Sequence, residues 1–402
     1  MVDVLPILTH QAATSDAPPR DRPLRVLHVL GSLNRGGVET WLMNVLRQLD
    51  PRRVRFDFVT HTDKPAAYDD EARALGARIY RCTGYRRPLR YSRQLRAVIA
   101  EGGPYDAVHS HVHDYSGAVL RAAAGAGVPV RIAHSHNDTS GLRARASPAR
   151  RAYQWLMRRW IARYATRHVA CSNVAGEALF GRGWTADPRA VNLPYGIDLG
   201  RFADRPDRAA LATPLGLPPD AKVIGHVGRF DPQKNHRRLL EMAAVVLKDD
   251  PGARLVLVGD GPLRPEIRRY AEAISVIQQV VFAGLRDDVP AVMAGLFDVF
   301  LFPSLYEGLG LVVVEAQAAG VPVLMSDAVP AEAVRMPDRV TSLPLNAPDD
   351  AWAAHLRQRL ARRDDPRPPF AQRAAALQDF DVHQNVARLE QIYAAAPAPG
   401  AT

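Results

Sequence analysis

Two glutamates, Glu307 and Glu315, bracket a glycine and valine run in the segment EGLGLVVVEAQAAGVP at 307–322. An apolar strand-like run, Asp298–Ser304 (DVFLFPS), precedes it, so Glu307 falls where a strand gives way to a turn. Gly308 and Gly310 let the backbone bend and approach a ligand closely. A helix starting near Gly310 presents N–H groups with no intrahelical partner, and such a terminus attracts anions. Glu315, about a turn into that helix, has oxygens that accept hydrogen bonds from sugar hydroxyls. One element therefore sets phosphate donors between two hydroxyl acceptors, which is the chemistry a nucleotide sugar needs. The same spacing also occurs in a buried strand–helix unit whose glutamates cap or face solvent, and the segment alone leaves both open.

Residues 228–235, GRFDPQKN, directly follow the strand-like Lys222–Val227. Arg229 and Lys234 flank a loop containing Asp231, Pro232 and Gln233. An arginine grips a diphosphate through two parallel hydrogen bonds, and a lysine adds a compact charge. Departure of a nucleoside diphosphate builds charge on its β-phosphate. Fixed cations stabilise that charge more in the transition state than in the ground state. Two solvated surface cations are the alternative. Near the N-terminus, Gly36-Gly37 closes the first strand–helix loop, offering free N–H groups to a phosphate or acceptor, or only a tight turn. No GxGxxG accompanies it, which argues against a simple dinucleotide-binding domain.

Histidines gather at two predicted strand ends: His109-Ser110-His111 with His113, and His134-Ser135-His136-Asn137-Asp138. Such a set can hold zinc. However, no cysteine or HExxH pattern stands with it, and adjacent strand ends are where a cleft forms. The histidines are therefore assigned to the cleft lining, with no metal expected, and Ser135, His136 and Asn137 are placed against the acceptor. The single D-x-D, Asp379-Phe380-Asp381, lies far from the phosphate motifs, where Asp381 suits a helix N-cap.

These groups need a scaffold, and 402 residues suffice for two domains with separate cores. Strand-like runs from Arg25–Leu30 to His168–Cys171 alternate with helical patterns from Glu39–Leu49 to Pro148–Thr166. A second alternation runs from Lys222–Val227 to Arg339–Leu343. That order predicts an α/β protein with parallel sheets covered on both faces. The proline-rich stretch near Asn192–Pro219 marks the boundary. The expected division is a disordered arm at 1–22, a first domain at 23–198, a linker at 199–219 and a second domain at 220–380. A final helix at 381–394 and a tail at 395–402 complete it.

The net charge of +10, an excess almost wholly of arginine, favours acidic partners such as nucleotide phosphates or anionic lipid. No motif supports nucleic-acid binding. Cys82 and Cys171 are too few for a disulfide framework and are assigned to core packing in a reducing cytoplasm. The N-terminus lacks a signal-peptide pattern. No uncharged apolar run approaches the ~18 residues that span a bilayer. Residues 139–167 carry eight arginines and no acidic residue. There Tyr153, Leu156, Met157, Trp160, Ile161 and Tyr164 share one helical face, and Trp155 points away among Arg151, Arg158 and Arg159. This suits either an anionic membrane surface or a helix packed on its sheet with a solvated basic face.

In order, GGVE at 36–39, PYGID at 194–198, GRFDPQKN, LVLVGDG at 255–261 and the EGLG segment resemble the retaining glycosyltransferases of family 4. The resemblance runs from about Leu24 to about Tyr393. GGVET at 36–40 and AHSHND at 133–138 look most like the branch that builds bacterial exopolysaccharide and capsule repeats. It implies the GT-B fold, two Rossmann-like parallel-sheet domains facing an interdomain cleft, with the last helix returning to the first domain. It implies a nucleotide-sugar donor on the second domain and a saccharide or polyprenyl-diphosphate-linked acceptor on the first, without metal or other cofactor. His111, Arg229, Lys234 and Glu307 take the catalytic roles, with His109 as the alternate to His111. Gly36, Gly37, Gly228, Gly259, Gly261, Gly308, Leu309, Gly310, Leu311 and Glu315 join Arg229, Lys234 and Glu307 around the donor. His109, Ser135, His136 and Asn137 face the acceptor. The resemblance also places the enzyme in the cytoplasm, against the inner membrane face. A nucleotide-sugar epimerase of the same fold and a non-catalytic nucleotide-sugar-binding protein are the alternatives.

Overall fold

Short apolar runs become the strands of two all-parallel sheets in this computed structural model, which describes residues 22–141 and 146–395. The first sheet contains β1 (Leu24–Leu30), β2 (Val54–Thr60), β3 (Ile79–Arg81), β4 (Ala107–Ser110), β5 (Val130–Ser135), β6 (Arg167–Ala170) and β7 (Ala190–Asn192). Its order is β3-β2-β1-β4-β5-β6-β7. The second contains β8 (Lys222–Val227), β9 (Ala253–Val258), β10 (Val280–Gly284), β11 (Val299–Phe302), β12 (Val323–Ser326) and β13 (Val340–Leu343), ordered β10-β9-β8-β11-β12-β13. Helices cover both faces, so the strands are nearly continuous apolar runs rather than alternating ones. The order reverses between β1 and β4, and again between β8 and β11. Crevices for ligands open at the C-terminal ends of strands at such switch points.

The supposed linker at 199–219 is built structure, which corrects the sequence expectation. It forms a turn at Leu199–Phe202 and a helix at Arg208–Ala212. Arg208 fastens that helix to the second unit, pairing with Asp298 at 3.0 Å and donating to the Leu296 carbonyl. Short apolar or mixed helices at Asn173–Phe180, Asp349–Ala361 and Phe370–Ala376 were not anticipated either, nor was the three-residue β7.

The helix Val382–Ala394 packs on the helix Gly37–Gln48 of the first unit. Asp381 caps it, accepting from the His383 amide at 2.7 Å. Trp41 Nε1 donates to Asn385 Oδ1 at 2.7 Å, and Asn385 Nδ2 donates to the Pro194 carbonyl at 2.6 Å. Nearby, Ile197 N donates to Phe380 O and accepts from Val382 N through its own carbonyl. The chain thus crosses between the units at two adjacent places. One buried apolar cluster, including Trp41, Tyr195, Phe297 and Tyr393, contains residues of both units.

The helix Pro148–Tyr164 corrects another expectation. Its buried stripe is Gln154, Met157 and Ile161, while Tyr153 and Leu156 face outward with Trp155. Arg158 is not a solvated cation: it pairs with Asp114 at 3.0 Å and donates to the Ala178 carbonyl. Cys82 and Cys171 are both buried and free. The expected disordered arm lies, save for Arg22, outside the described residues, as do residues 396–402 of the tail and Arg143 and Arg145. Arg22 itself makes a two-pronged ion pair with Asp106.

Candidate active site

The loops after β8 and β11 meet across the second switch point. Lys234 Nζ lies 2.6 Å from Glu307 Oε1, and Ser304 Oγ donates to the same oxygen. Local chemistry sets the lysine in place. Asp231 accepts from the Lys234 amide and closes the turn Pro232–Lys234, and Asn235 takes the left-handed conformation (φ 55°) that starts the next helix. Gln233 ties the two loops together, donating to the Tyr306 carbonyl and accepting from the Leu305 amide. Side-chain exposure is 17% for Lys234 and 7% for Glu307, so each charge depends on the other. Removing one partner of such a pair leaves an uncompensated charge and costs more than the intact pair contributes. Arg229 is exposed, one short loop away.

Gly308 and Gly310 have distinct reasons to be glycine. A Cβ on Gly308 would overlap the His136 carbonyl of the first unit. Gly310 adopts φ 83° as it caps the helix Leu311–Ala318, a region that L side chains avoid. Leu309 and Leu311 bury their side chains. Gly259 and Gly261 press against the backbone of Gly228 and Phe230 and hold the β8 loop. Glu315 lies on the helix Leu311–Ala318, half-buried. Burial pushes its carboxyl up to about 7, with Arg201 acting in the opposite direction.

On the first unit, Gly36 caps the helix Gly37–Gln48, and the Glu39 side chain folds back over it. Burial raises the Glu39 carboxyl to about 7, while its own backbone N–H and Arg229 on the facing unit favour the charged form. Tyr195 is fully enclosed, with its hydroxyl in the electrostatic reach of both Glu39 and Glu307. Glu39, beside the Gly36-Gly37 turn, thus lies in reach of Arg229, and Tyr195 in reach of Glu39 and Glu307. Glu39, Tyr195 and Arg201 escaped residue-level assignment. Glu39 and Tyr195 lay inside GGVE and PYGID, which served only as marks of resemblance, and Arg201 followed the second of these.

The histidines form a buried chain. His28 Nδ1 lies 2.9 Å from His111 Nε2, His111 Nδ1 lies 2.8 Å from His136 Nε2, and His136 Nδ1 lies 2.7 Å from the Tyr195 hydroxyl. His109 bridges His134 at 3.0 Å and the Tyr393 hydroxyl at 2.9 Å. Burial first, and then neighbouring imidazoles, hold His28, His109, His134 and His136 well below their usual pKa. Burial puts His111 at about 3.

Three sequence assignments change here. His109 is fully buried between the sheet and the last helix, with both ring nitrogens engaged by Tyr393 and His134. Ser135 is fully buried, donating to the Ala175 carbonyl. The His136 ring has both nitrogens engaged, and only its carbonyl faces the second unit. His111 is the one partly exposed member of the chain, and Asn137 is exposed beside Gly308. The sets His28/His109/His111 and His111/His134/His136 each bring ring nitrogens within 4.8 Å of one another. Most of these nitrogens are engaged in the hydrogen bonds above, while His28 Nε2 and His134 Nε2 are buried without a hydrogen-bond partner.

Three contacts hold the units together around the crevice. Arg35 pairs with Asp287 at 2.6 Å, Ser172 Oγ donates to the Gly308 carbonyl, and the Asn173 amide donates to Glu332 Oε1 at 3.0 Å.

Residues 36–196 match the glycosyl transferase 4-like domain, and residues 207–373 match the glycosyl transferases group 1 family. The glycosyltransferase EpsF of Bacillus subtilis (strain 168) is 40% identical over 379 residues, spanning 92% of this chain and 96% of EpsF. The chain belongs to the group 1, family 4 glycosyltransferases. A UDP-Gal:alpha-D-GlcNAc-diphosphoundecaprenol alpha-1,3-galactosyltransferase of Escherichia coli is 31% identical over 229 residues, 56% of this chain and 58% of that enzyme. The structure of Anabaena HepE in complex with UDP and glucose superposes with a TM-score of 0.74 at 20% identity. It covers 92% of this chain and 98% of HepE. Sucrose-phosphate synthase from Thermosynechococcus elongatus superposes with a TM-score of 0.75 at 20% identity, with the same coverage. The GT-B fold of this glycosyltransferase follows from these superpositions and from its two parallel sheets.

At the second switch point Arg229 and Lys234 place positive charge near the helix start at Gly310, with Glu307 before that helix and Glu315 on it. Charge placed in advance stabilises a departing diphosphate without reorganising at the moment of reaction.

Proposed function

We propose that this glycosyltransferase retains the anomeric configuration, works without metal, and extends a polysaccharide or cell-envelope glycan. The observation that carries this is the Lys234–Glu307 pair beside Arg229 at the β8/β11 switch point. A nucleotide-sugar donor entering there gives Lys234 a diphosphate to hold and frees Glu307 to accept from the sugar's hydroxyls. Glu315 receives the ribose. Two cations and a helix terminus supply the charge a divalent metal would otherwise bring. The acceptor, a saccharide or polyprenyl-diphosphate-linked saccharide, enters along the first unit past Asn137 and His111. The acceptor's proton passes to the leaving phosphate in a front-face attack, so no side-chain base is assigned. Likeness to EpsF supports glycosyl transfer, and the diphosphoundecaprenol-linked acceptor in the name of the Escherichia coli relative supports a saccharide acceptor on a lipid carrier.

Among the described residues no helix is long and apolar enough to cross a membrane. The lipid-linked acceptor in the name of the Escherichia coli relative supports placing the enzyme in the cytoplasm, with the surface of the first unit against the inner leaflet. A thermal-shift panel of UDP-, GDP- and dTDP-sugars tests donor binding, because a ligand of the folded state raises apparent stability by RT ln(1 + [L]/Kd). One base is expected to shift the melting temperature. No shift with any of them would refute donor binding.

A further inference from the structure

A groove of about 550 Å³ runs between the helices Pro88–Gly102 and Ser116–Ala124, floored by Trp160 of the helix Pro148–Tyr164. It lies on the outer helical layer of the first unit, away from the donor loops. Arg93, Arg96 and Arg121 line it, and all three are exposed. Among the described residues no carboxylate lines the groove or pairs with any of the three. Arg121 instead lies 4.5 Å over the Trp160 ring. Pro88, Leu89, Ala118 and Ala122 make most of the remaining wall apolar, with Ser92 beside them.

Unpaired guanidinium groups are common on surfaces, but these three converge on an apolar trough. Leu89, on its rim, is 83% exposed, the highest value among the exposed large apolar side chains. Five of those nine side chains, Tyr85, Leu89, Tyr153, Trp155 and Leu156, belong to this helical layer and the loop before it. Exposed apolar groups concentrated beside one sign of charge mark an interaction site. The complementary occupant carries a phosphate for the arginines and hydrocarbon for the trough.

We propose that this groove seats the phosphate headgroup and first chain carbons of an anionic phospholipid, docking the first unit on a bilayer. The inference deepens the membrane part of the proposed function. It moves the principal contact from the helix Pro148–Tyr164, where Arg158 is already paired, to the neighbouring groove.

The test uses the full chain and vesicles of phosphatidylcholine with or without phosphatidylglycerol, read by flotation at low salt. Wild type is expected to float only with phosphatidylglycerol. Changing Arg93, Arg96 and Arg121 together to glutamine is expected to weaken binding roughly 100-fold, from about 1 kcal/mol per basic residue at such a surface. Changing Arg150, Arg151 and Arg159 together removes the same charge from the adjacent helix and is expected to cost at least about ten-fold less. Equal losses in the two triple variants would overturn the groove, leaving only a diffuse basic face. Equal competition by a polyglutamate peptide would overturn the lipid in favour of an acidic protein. Binding of whichever nucleotide sugar shifts the wild-type melting temperature, assigned above to the crevice on the second unit, is expected to be unchanged in the groove variant. That readout keeps a folding failure, or a failure of the donor assignment, separate from loss of lipid binding.

Discussion

Lys234 Nζ and Glu307 Oε1 sit 2.6 Å apart across the β8/β11 switch point, with Ser304 donating to the same carboxylate oxygen. The proposed phosphate cation and the proposed sugar acceptor are thus each other's partner. Their effects on stability and on turnover should therefore diverge. Lys234→Ala should lower turnover about 10²-fold, the scale for losing one charge-stabilising donor. It should also lower the melting temperature, because Glu307 is left buried with only Ser304. Adding Glu307→Gln should recover part of that stability but none of the activity. Arg229→Ala, at an exposed position, should cost similar turnover with no change in melting. Thermal melts and initial rates on wild type, the three single variants and the double variant check this pattern, and additive stability losses in the double variant would contradict it.

Glu307 and Glu315 should fail differently. Glu307→Gln should impair the sugar-dependent step and leave affinity for the bare nucleoside diphosphate near wild type. Glu315→Ala should weaken the bare nucleotide itself. Calorimetry with the nucleotide decides, and unchanged affinity in Glu315→Ala would remove the ribose role.

A pH dependence follows from the raised Glu315 carboxyl. Its folded value of about 7 lies above the ordinary carboxylate value of 4.5, so the folded state holds a proton that the unfolded state has already released. The stabilisation is complete below about pH 4.5 and is lost as pH rises toward 7. Glu315→Gln should therefore melt higher relative to wild type at pH 8 than at pH 5. A difference independent of pH would mean that the carboxyl ionises normally. Glu39 should behave in the same sense, its carboxyl being raised to a similar value by burial.

Removing the Tyr393 hydroxyl tests the reassignment of His109. Tyr393→Phe leaves a buried imidazole nitrogen unpartnered and should cost about 1–3 kcal/mol in denaturant unfolding. Activity per folded molecule should be preserved. A large loss of turnover at unchanged stability would return His109 to the site.

Activity should persist in excess EDTA, because the proposed charge stabilisation comes from Arg229, Lys234 and the helix start at Gly310. Complete loss, restored by manganese or magnesium, would promote the histidine sets or Asp379 and Asp381 to ligands.

Much of this molecule was legible from period and punctuation. Apolar runs bounded by glycine or proline became parallel strands, and Gly308 and Gly310 marked the tight start of a helix. Side-chain direction was less legible. His109 and His111 are two residues apart and share a face of β4 and its extension, yet one ends beneath the last helix and the other at the crevice. That difference comes from Tyr393, 284 positions away in sequence. Ser135 reads as a polar strand end, but its hydroxyl is taken up by the Ala175 carbonyl on the helix Asn173–Phe180, 40 positions on. Similarly, the 199–219 stretch has turn chemistry throughout, and its order depends on Arg208 finding Asp298, 90 positions on. Glu39 remained unassigned because its chemistry depends on Arg229 of the other unit. Long-range partners carry no local signal.

The most direct measurement is release of nucleoside diphosphate when the purified protein meets a panel of nucleotide sugars and a carbohydrate acceptor. One donor should yield nucleoside diphosphate with stoichiometric sugar transfer, and Arg229→Ala and Lys234→Ala should each reduce the rate about 10²-fold. Full activity in both variants, or binding of a nucleotide sugar without any transfer or release, would contradict a glycosyltransferase whose leaving group is held by these two cations.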